Sequence, residues 1–326
     1  MLDRLNRAAK FGAFSEEYER TSHYIDWLVQ IPWKKYTDDR IKLDEAKQIL
    51  DDHHYGLEPV KQRILEFLAT VQLNLQQHQD QNQDPHETAS HAPILCMVGL
   101  AGTGKTTFAY ALAKAMGRKI SRIPFGGLGS ARDIRGQSRL HLEAEPGHVV
   151  KALINAGTMN PVILLDEIDR VADEARADVM GVLLALLDPG QNKTFIDHYV
   201  DFPIDLNQVL FVATCNNTDN LSTAVKNRLE VIQMPTYSDE EKIIIAKQYL
   251  VPEAIKLAGL PEGSLVIEDH LWPQIVRPLG FDSGIRILKR AVDRLVRKAA
   301  FLIVQQGAQK VVINAENLKD FVEQYY

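Results

Sequence analysis

Residues 99–106 read Gly-Leu-Ala-Gly-Thr-Gly-Lys-Thr and fill every fixed position of the pattern G-x-x-x-x-G-K-[ST]. The chemistry of such a loop is anion binding: backbone N–H groups and the positive end of a helix point at phosphate oxygens. Gly99, Leu100, Ala101, Gly102, Thr103 and Gly104 would form the cradle. Lys105 would reach the β- and γ-phosphates, and the Thr106 hydroxyl would hold Mg²⁺. A second signal lies 61 positions after the lysine, where the apolar run Val162–Leu165 ends in Asp166-Glu167-Ile168-Asp169. A carboxylate at a strand end, Asp166, suits Mg²⁺ directly or through water. Glu167, one residue on, could take a proton from an attacking water. Asn216 follows a third apolar run, Val209–Thr214. There it would either orient that water or merely close a loop turn. Arg228 stands before the short run Leu229–Ile232 and Arg286 near the start of a long helix. Each is a surface residue unless a nucleotide lies within its reach.

The elements that must position these groups are legible around them. Ile94–Val98 predicts a buried strand feeding the glycine loop, and Thr106–Met116 a helix stopped by Gly117. From Ala92 to about Pro235, strand-like runs alternate with helical patterns, the signature of a parallel α/β sheet. Before this region, residues 1–30 are charged and helical in pattern, and Pro32 ends them. Trp27, Leu28, Ile31 and Trp33 form an apolar cluster that needs a packing partner. Helices are predicted over Asp44–His53 and from Glu58 to about Leu75. Residues 76–92 contain nothing that can bury and predict a disordered surface loop. Its histidines lack the cysteines or rigid spacing of a metal site. After Tyr237, Ser238-Asp239-Glu240-Glu241 predicts a capping box opening a helix over Lys242–Leu250. A long helix over Gly284–Gln306, the run Val311–Ile313 and a helix over Ala315–Gln324 complete a small, mostly helical tail.

Of the 326 residues, 45% are hydrophobic and 25% charged, as in ordinary globular proteins. The net charge of −6 provides no overall basic field for nucleic acid. No apolar stretch approaches the roughly 18 residues of a membrane span, and no signal-peptide core follows the N-terminus. Cys96 and Cys215 lie in or beside strand-like runs and read as small buried residues, so a cytoplasmic protein is the simple expectation.

The order of these parts resembles an AAA+ ATPase, and closely the ATPase module of the Lon protease family, over nearly the whole chain. The resemblance is carried by His23–Trp33, His53-His54-Tyr55-Gly56-Leu57, Val60–Glu66, the glycine loop, Asp188-Pro189-Gly190-Gln191-Asn192 and Phe211–Asn216. It implies an AAA+ P-loop NTPase of α/β class, a three-layer parallel sheet domain followed by a small α-helical lid. The expected organisation is a helical N-terminal arm and adenine-side linker over 1–57, the nucleotide-binding domain over 58–236 and the lid over 237–326. His54, Tyr55 and Gly56 would line the adenine side, with Asn216 as sensor 1, Arg228 as arginine finger and Arg286 as sensor 2. ATP and Mg²⁺ are the implied cofactors, a hexameric ring the implied assembly, and unfolded or damaged proteins the implied substrates. The N-terminal arm would link to a substrate-selecting domain.

Three departures stand beside the resemblance. The polar loop is long. The substrate-gripping loop, Arg135–Gly147, has His141 where the family carries an aromatic residue, with Leu142 as its aliphatic partner. The chain stops at Tyr325-Tyr326, where the family's peptidase domain would begin, and contains no Gly-x-Ser-x-Gly. This chain alone is therefore expected not to cleave peptides. Two rival readings remain open. A clamp-loader-like or DNA-remodelling AAA+ protein would show a basic pore loop, but Arg135 and Arg139 are offset by Glu143 and Glu145. A nucleotide-gated scaffold would not need Lys105, Asp166, Glu167 and Arg228 all intact.

Overall fold

A computed structural model describes residues 16–80, 94–141, 143–277, 284–307 and 309–322. By their internal contacts the residues group into two units, one comprising 1–53, 59–98 and 106–233, the other 54–58, 99–105 and 234–326.

In the first unit the chain forms β1 (Ile94–Val98), β2 (Ile120–Pro124), β3 (Val162–Asp166), a short antiparallel hairpin of β4 (Phe195–Ile196) and β5 (Pro203–Ile204), β6 (Leu210–Cys215) and β7 (Leu229–Gln233). Five of these make one parallel sheet in the order β2-β3-β6-β1-β7. All of β3 and β6 is buried, whereas the edge strands β2 and β7 are mostly not. This is why Val162–Leu165 and Leu210–Ala213 read as unbroken apolar runs: central parallel strands are covered on both faces. Each fully buried Leu or Ile contributes about 1.5–3 kcal/mol. The register pairs Leu165 with Ala213 and Val98 with Cys215, so β1, β3 and β6 end level at the carboxyl edge of the sheet.

The Arg176–Leu187 helix is apolar around most of its circumference and correspondingly buried. Leu28 and Ile31, at the end of the Glu16–Gln30 helix, join the same core. Trp33 donates from its indole to the Leu28 carbonyl at 2.8 Å and stacks on Phe202, which answers the need of that N-terminal cluster for a partner. The two cysteines are buried on neighbouring strands with their sulfurs 3.7 Å apart.

The second unit is mostly helical. Ser238 and Glu241 close the predicted capping box. The helix that follows begins at Asp239 and does not stop at Leu250. It passes through a wide turn over Ala246–Leu250 into Val251–Leu257. Pro252 is tolerated because it stands in the first turn of that last segment. Arg286–Gln306 is the long helix expected, and it packs Leu288, Val292, Leu295, Val296 and Ala299 inward. The tail holds a two-stranded parallel sheet of β8 (Leu265–Ile267) and β9 (Val311–Ile313), of which only the second strand is evident in sequence.

Two further helix lengths differ from expectation. The Glu58 helix runs to Asp80, into the predicted loop, because glutamine is a good helix former and no Gly or Pro intervenes before Pro85. The last helix covers only Leu318–Phe321, since Asn314 and Asn317 exchange side-chain bonds with nearby backbone and compete with helix. The rest of the predicted loop, residues 1–15 of the arm, Leu142 and residues 323–326 lie outside the described residues.

Candidate functional site

By its contacts the glycine loop groups with the helical unit, and its backbone neighbours give the reason. The Ile285 N–H donates to the Gly102 carbonyl at 3.1 Å. Gly102 has φ +86°, and a β-carbon there would come within 3.3 Å of the backbone of Gly284, Ile285 and Arg286. A β-carbon on Gly284 would collide with the Ala101 carbonyl. The loop and the start of the Arg286–Gln306 helix therefore touch backbone to backbone. Thr103, fully buried, donates to the Leu100 carbonyl at 2.9 Å. The Lys105 ammonium donates to the carbonyls of Gly99 at 2.5 Å and Leu100 at 3.0 Å. The lysine head thus lies among the loop's own oxygens. Arg286 is the first residue of the helix that touches the loop and is exposed. His54 is buried and Tyr55 half-buried. Gly56 leaves room for the Glu241 carboxylate, 3.3 Å from where its β-carbon would be.

In the sheet unit, the acidic cluster gathers at the carboxyl edge. The Thr214 hydroxyl donates to Asp166 Oδ1 at 2.5 Å and accepts from the Glu167 N–H at 3.0 Å. The other Asp166 oxygen pairs with Arg122 on β2 at 2.6 Å. Asp166 is thereby buried with both oxygens engaged, as a buried carboxylate must be. Glu167 has φ +58°, a conformation that costs a non-glycine residue about 1–3 kcal/mol and concentrates at functional sites. Its side chain lies over Gly126, where a β-carbon would approach Oε2 to 3.1 Å, and 3.5 Å from Arg170. Asp169 is buried too and accepts from the backbone N–H of Asn216 at 3.1 Å and of Asn217 at 3.4 Å. Asp166, Glu167 and the backbone of Asn216 are thus brought to the neighbouring ends of β3 and β6, which Thr214 and Asp169 join.

Arg228 stands directly before β7. Its Nη2 donates to Asp188 Oδ2 at 2.7 Å and its Nη1 to the Ala224 carbonyl at 3.2 Å. That guanidinium holds the Asp188 carboxyl below its ordinary value. Thr214, Arg122, Asp169 and Asp188 have no site role that the sequence alone reveals. Thr214 and Asp169 flank the motifs and could have been flagged as polar residues closing apolar runs. Arg122 had no sequence signal.

The Arg135–Gly147 loop is pinched at its base. Buried Asp197 accepts from the N–H groups of Gly147 (2.7 Å), Tyr199 (2.8 Å) and Val200 (3.0 Å). Burial pushes its carboxyl up against the pull of those bonds. Arg139 pairs with Asp201 at 2.8 Å and stacks on the Tyr24 ring at 4.3 Å, while Arg135 lies over Phe195. His141 is exposed, and Leu140 beside it is 88% exposed.

These residues fit Mg-ATP. A loop turned by positive-φ glycines, a lysine already seeking oxygen ligands, and a hydroxyl on the next residue are present. So is a carboxylate fixed at a strand end. Magnesium commonly keeps waters and phosphate oxygens, so one hydroxyl and one carboxylate suffice.

Comparison with known proteins gives the same direction. Residues 95–237 match the family described as "ATPase family associated with various cellular activities (AAA)". Lon protease 1 of Bacillus subtilis (strain 168) is 39% identical over 321 residues, 98% of this chain and 40% of its own length. Lon protease 2 of Thermus thermophilus is 38% identical over 318 residues, 98% of this chain and 39% of its own. The mitochondrial Lon protease homolog of Homo sapiens is 37% identical over 320 residues, 98% of this chain and 32% of its own. The chain therefore spans two-fifths or less of the length of these relatives.

Proposed function

We propose that the chain, an AAA ATPase region similar to that of Lon proteases, is a ring-forming motor that spends Mg-ATP to pull on unfolded polypeptide. The observation that carries the reading is the Thr214 bridge, which holds a magnesium-type carboxylate and a strained glutamate side by side.

In this proposal Lys105 neutralises charge on the β- and γ-phosphates, and Thr106 with Asp166 holds Mg²⁺. With both Asp166 oxygens engaged, Asp166 acts through a bound water or after Arg122 swings aside. Held there, magnesium would offset the charge of the terminal phosphates. Glu167 accepts a proton from the attacking water, which the Asn216 amide orients. Phosphoryl transfer asks little covalent chemistry of a protein, so these groups act by position and charge. Arg228 reaches the nucleotide of a neighbouring copy, and Arg286 reads the nucleotide from the loop's own unit. His54, Tyr55 and Gly56 border the adenine.

The exposed tip at Leu140 and His141 supports a polypeptide rather than a nucleic acid as the load. Of the two arginines of that loop, Arg139 is engaged by Asp201 and Tyr24, and Arg135 lies over the Phe195 ring. The experiment is a mixing assay. Lys105→Ala should abolish nucleotide binding or turnover, and Glu167→Gln should bind ATP yet stall. Mixing Arg228→Ala with Lys105→Ala subunits should restore turnover, because a mixed interface pairs an intact loop with an intact arginine. Absence of rescue, with turnover per subunit independent of protein concentration, would overturn catalysis between copies.

A further inference from the structure

Asp188 sits where the buried Arg176–Leu187 helix ends and the short Pro189–Asn192 helix begins. Its two oxygens have separate duties. Oδ1 accepts from the N–H groups of Gly190 at 3.0 Å and Gln191 at 3.2 Å, which caps the short helix and fixes the rotation of the carboxylate. Oδ2 is thereby aimed, and it takes Nη2 of Arg228, 40 positions away, at 2.7 Å. The Ala224 carbonyl takes Nη1. Among the described residues the other N–H donors of the guanidinium have no acceptor and stay open to another one. Asp188 is 22% and Arg228 34% exposed at the side chain, so the pair opens to the surface and is not sealed in the core. An arginine is a long, rotamer-rich side chain, and a group ordered beforehand spares the reaction the cost of ordering it.

We propose that Asp188 is the positioning residue of the arginine finger, holding Arg228 in the pose from which a phosphate of a neighbouring copy is met. This rests on the reading of Arg228 given above. Asp188 does not touch the nucleotide. It acts through Arg228 alone, and its carboxylate stays charged because the guanidinium keeps its pKa low.

The test uses Asp188→Asn, which retains a capping oxygen and removes the charge that holds the guanidinium. Asp188→Ser, also a capping residue, serves as the second variant should the first fold poorly. The expected result is a fall in kcat of about ten- to a hundredfold, up to the scale of a misplaced catalytic contact, with KM and melting temperature unchanged. In an Arg228→Ala background Asp188→Asn should add no further loss, because residues acting as one unit are not additive. Mixing Asp188→Asn subunits with Lys105→Ala subunits, whose fingers are intact, should restore turnover. A merely structural fault in the subunit's own site would not be rescued this way. Slow Arg228→Ala alongside unchanged or faster Asp188→Asn would overturn the role of Asp188 while sparing the finger. Arg228→Ala at the wild-type rate would overturn the finger reading and this inference with it.

Discussion

At the end of β6 one hydroxyl serves two residues. Thr214 donates to Asp166 and accepts from the backbone of Glu167, so it fixes both the carboxylate and the strained turn that follows. Thr214→Val keeps the shape and removes both bonds. A buried group left unsatisfied costs about 1–3 kcal/mol, and here it would also loosen Asp166 and Glu167. The expected outcome is a kcat lowered by about tenfold or more, with nucleotide affinity retained, read by phosphate release and nucleotide titration. An unchanged kcat would show that the bridge is only structural. Asp166 and Glu167 are legible in the sequence because an apolar run ends in two carboxylates. Thr214 is not, because threonine is an ordinary strand residue and its partner lies 48 positions away. Only strand register brings them together. The same holds for Arg122, which reads as any polar residue of an edge strand until β2 is set beside β3.

Elements show where local rules suffice and where they fail. Strand β3 and the capping box at Ser238 follow from sequence because their causes are local. The grouping of the glycine loop does not, because it depends on Gly284 meeting Gly102 across 182 positions of chain (284 − 102). Gly284→Ala would force a β-carbon against the Ala101 carbonyl. It should weaken binding of a fluorescent ATP analogue by about tenfold or more, equivalent to about 1.4 kcal/mol. Unaltered affinity would show that the loop keeps its shape without that contact. The base of the 135–147 loop makes a pH prediction. Burial raises the Asp197 pKa in the folded state, so the folded protein holds this proton more tightly than the unfolded chain. The stability so contributed is complete below the ordinary carboxylate value and is lost as pH rises through the raised one. Asp197→Asn should remove that downward slope, whatever its effect on absolute stability, as read from urea unfolding at several pH values. Parallel slopes for the two proteins would contradict it.

On the scale of the whole molecule, no helix among the described residues is long and apolar enough to cross a membrane. The relatives, far longer than this chain, are proteases by name, and the proposal for this chain is the motor part of such work. A motor that pulls polypeptide should turn over faster when loaded. A translocating loop grips mainly by aromatic and apolar packing, and in the proposed grip His141 offers a smaller, more polar ring than Tyr would. Stimulation should therefore be modest in the wild type and larger in His141→Tyr. The most direct measurement is the rate of phosphate release from Mg-ATP by the wild-type chain, alone, with unfolded casein and with duplex DNA. Casein should accelerate release, DNA should not, and Glu167→Gln should abolish all turnover. Acceleration by DNA with indifference to casein would contradict the proposal.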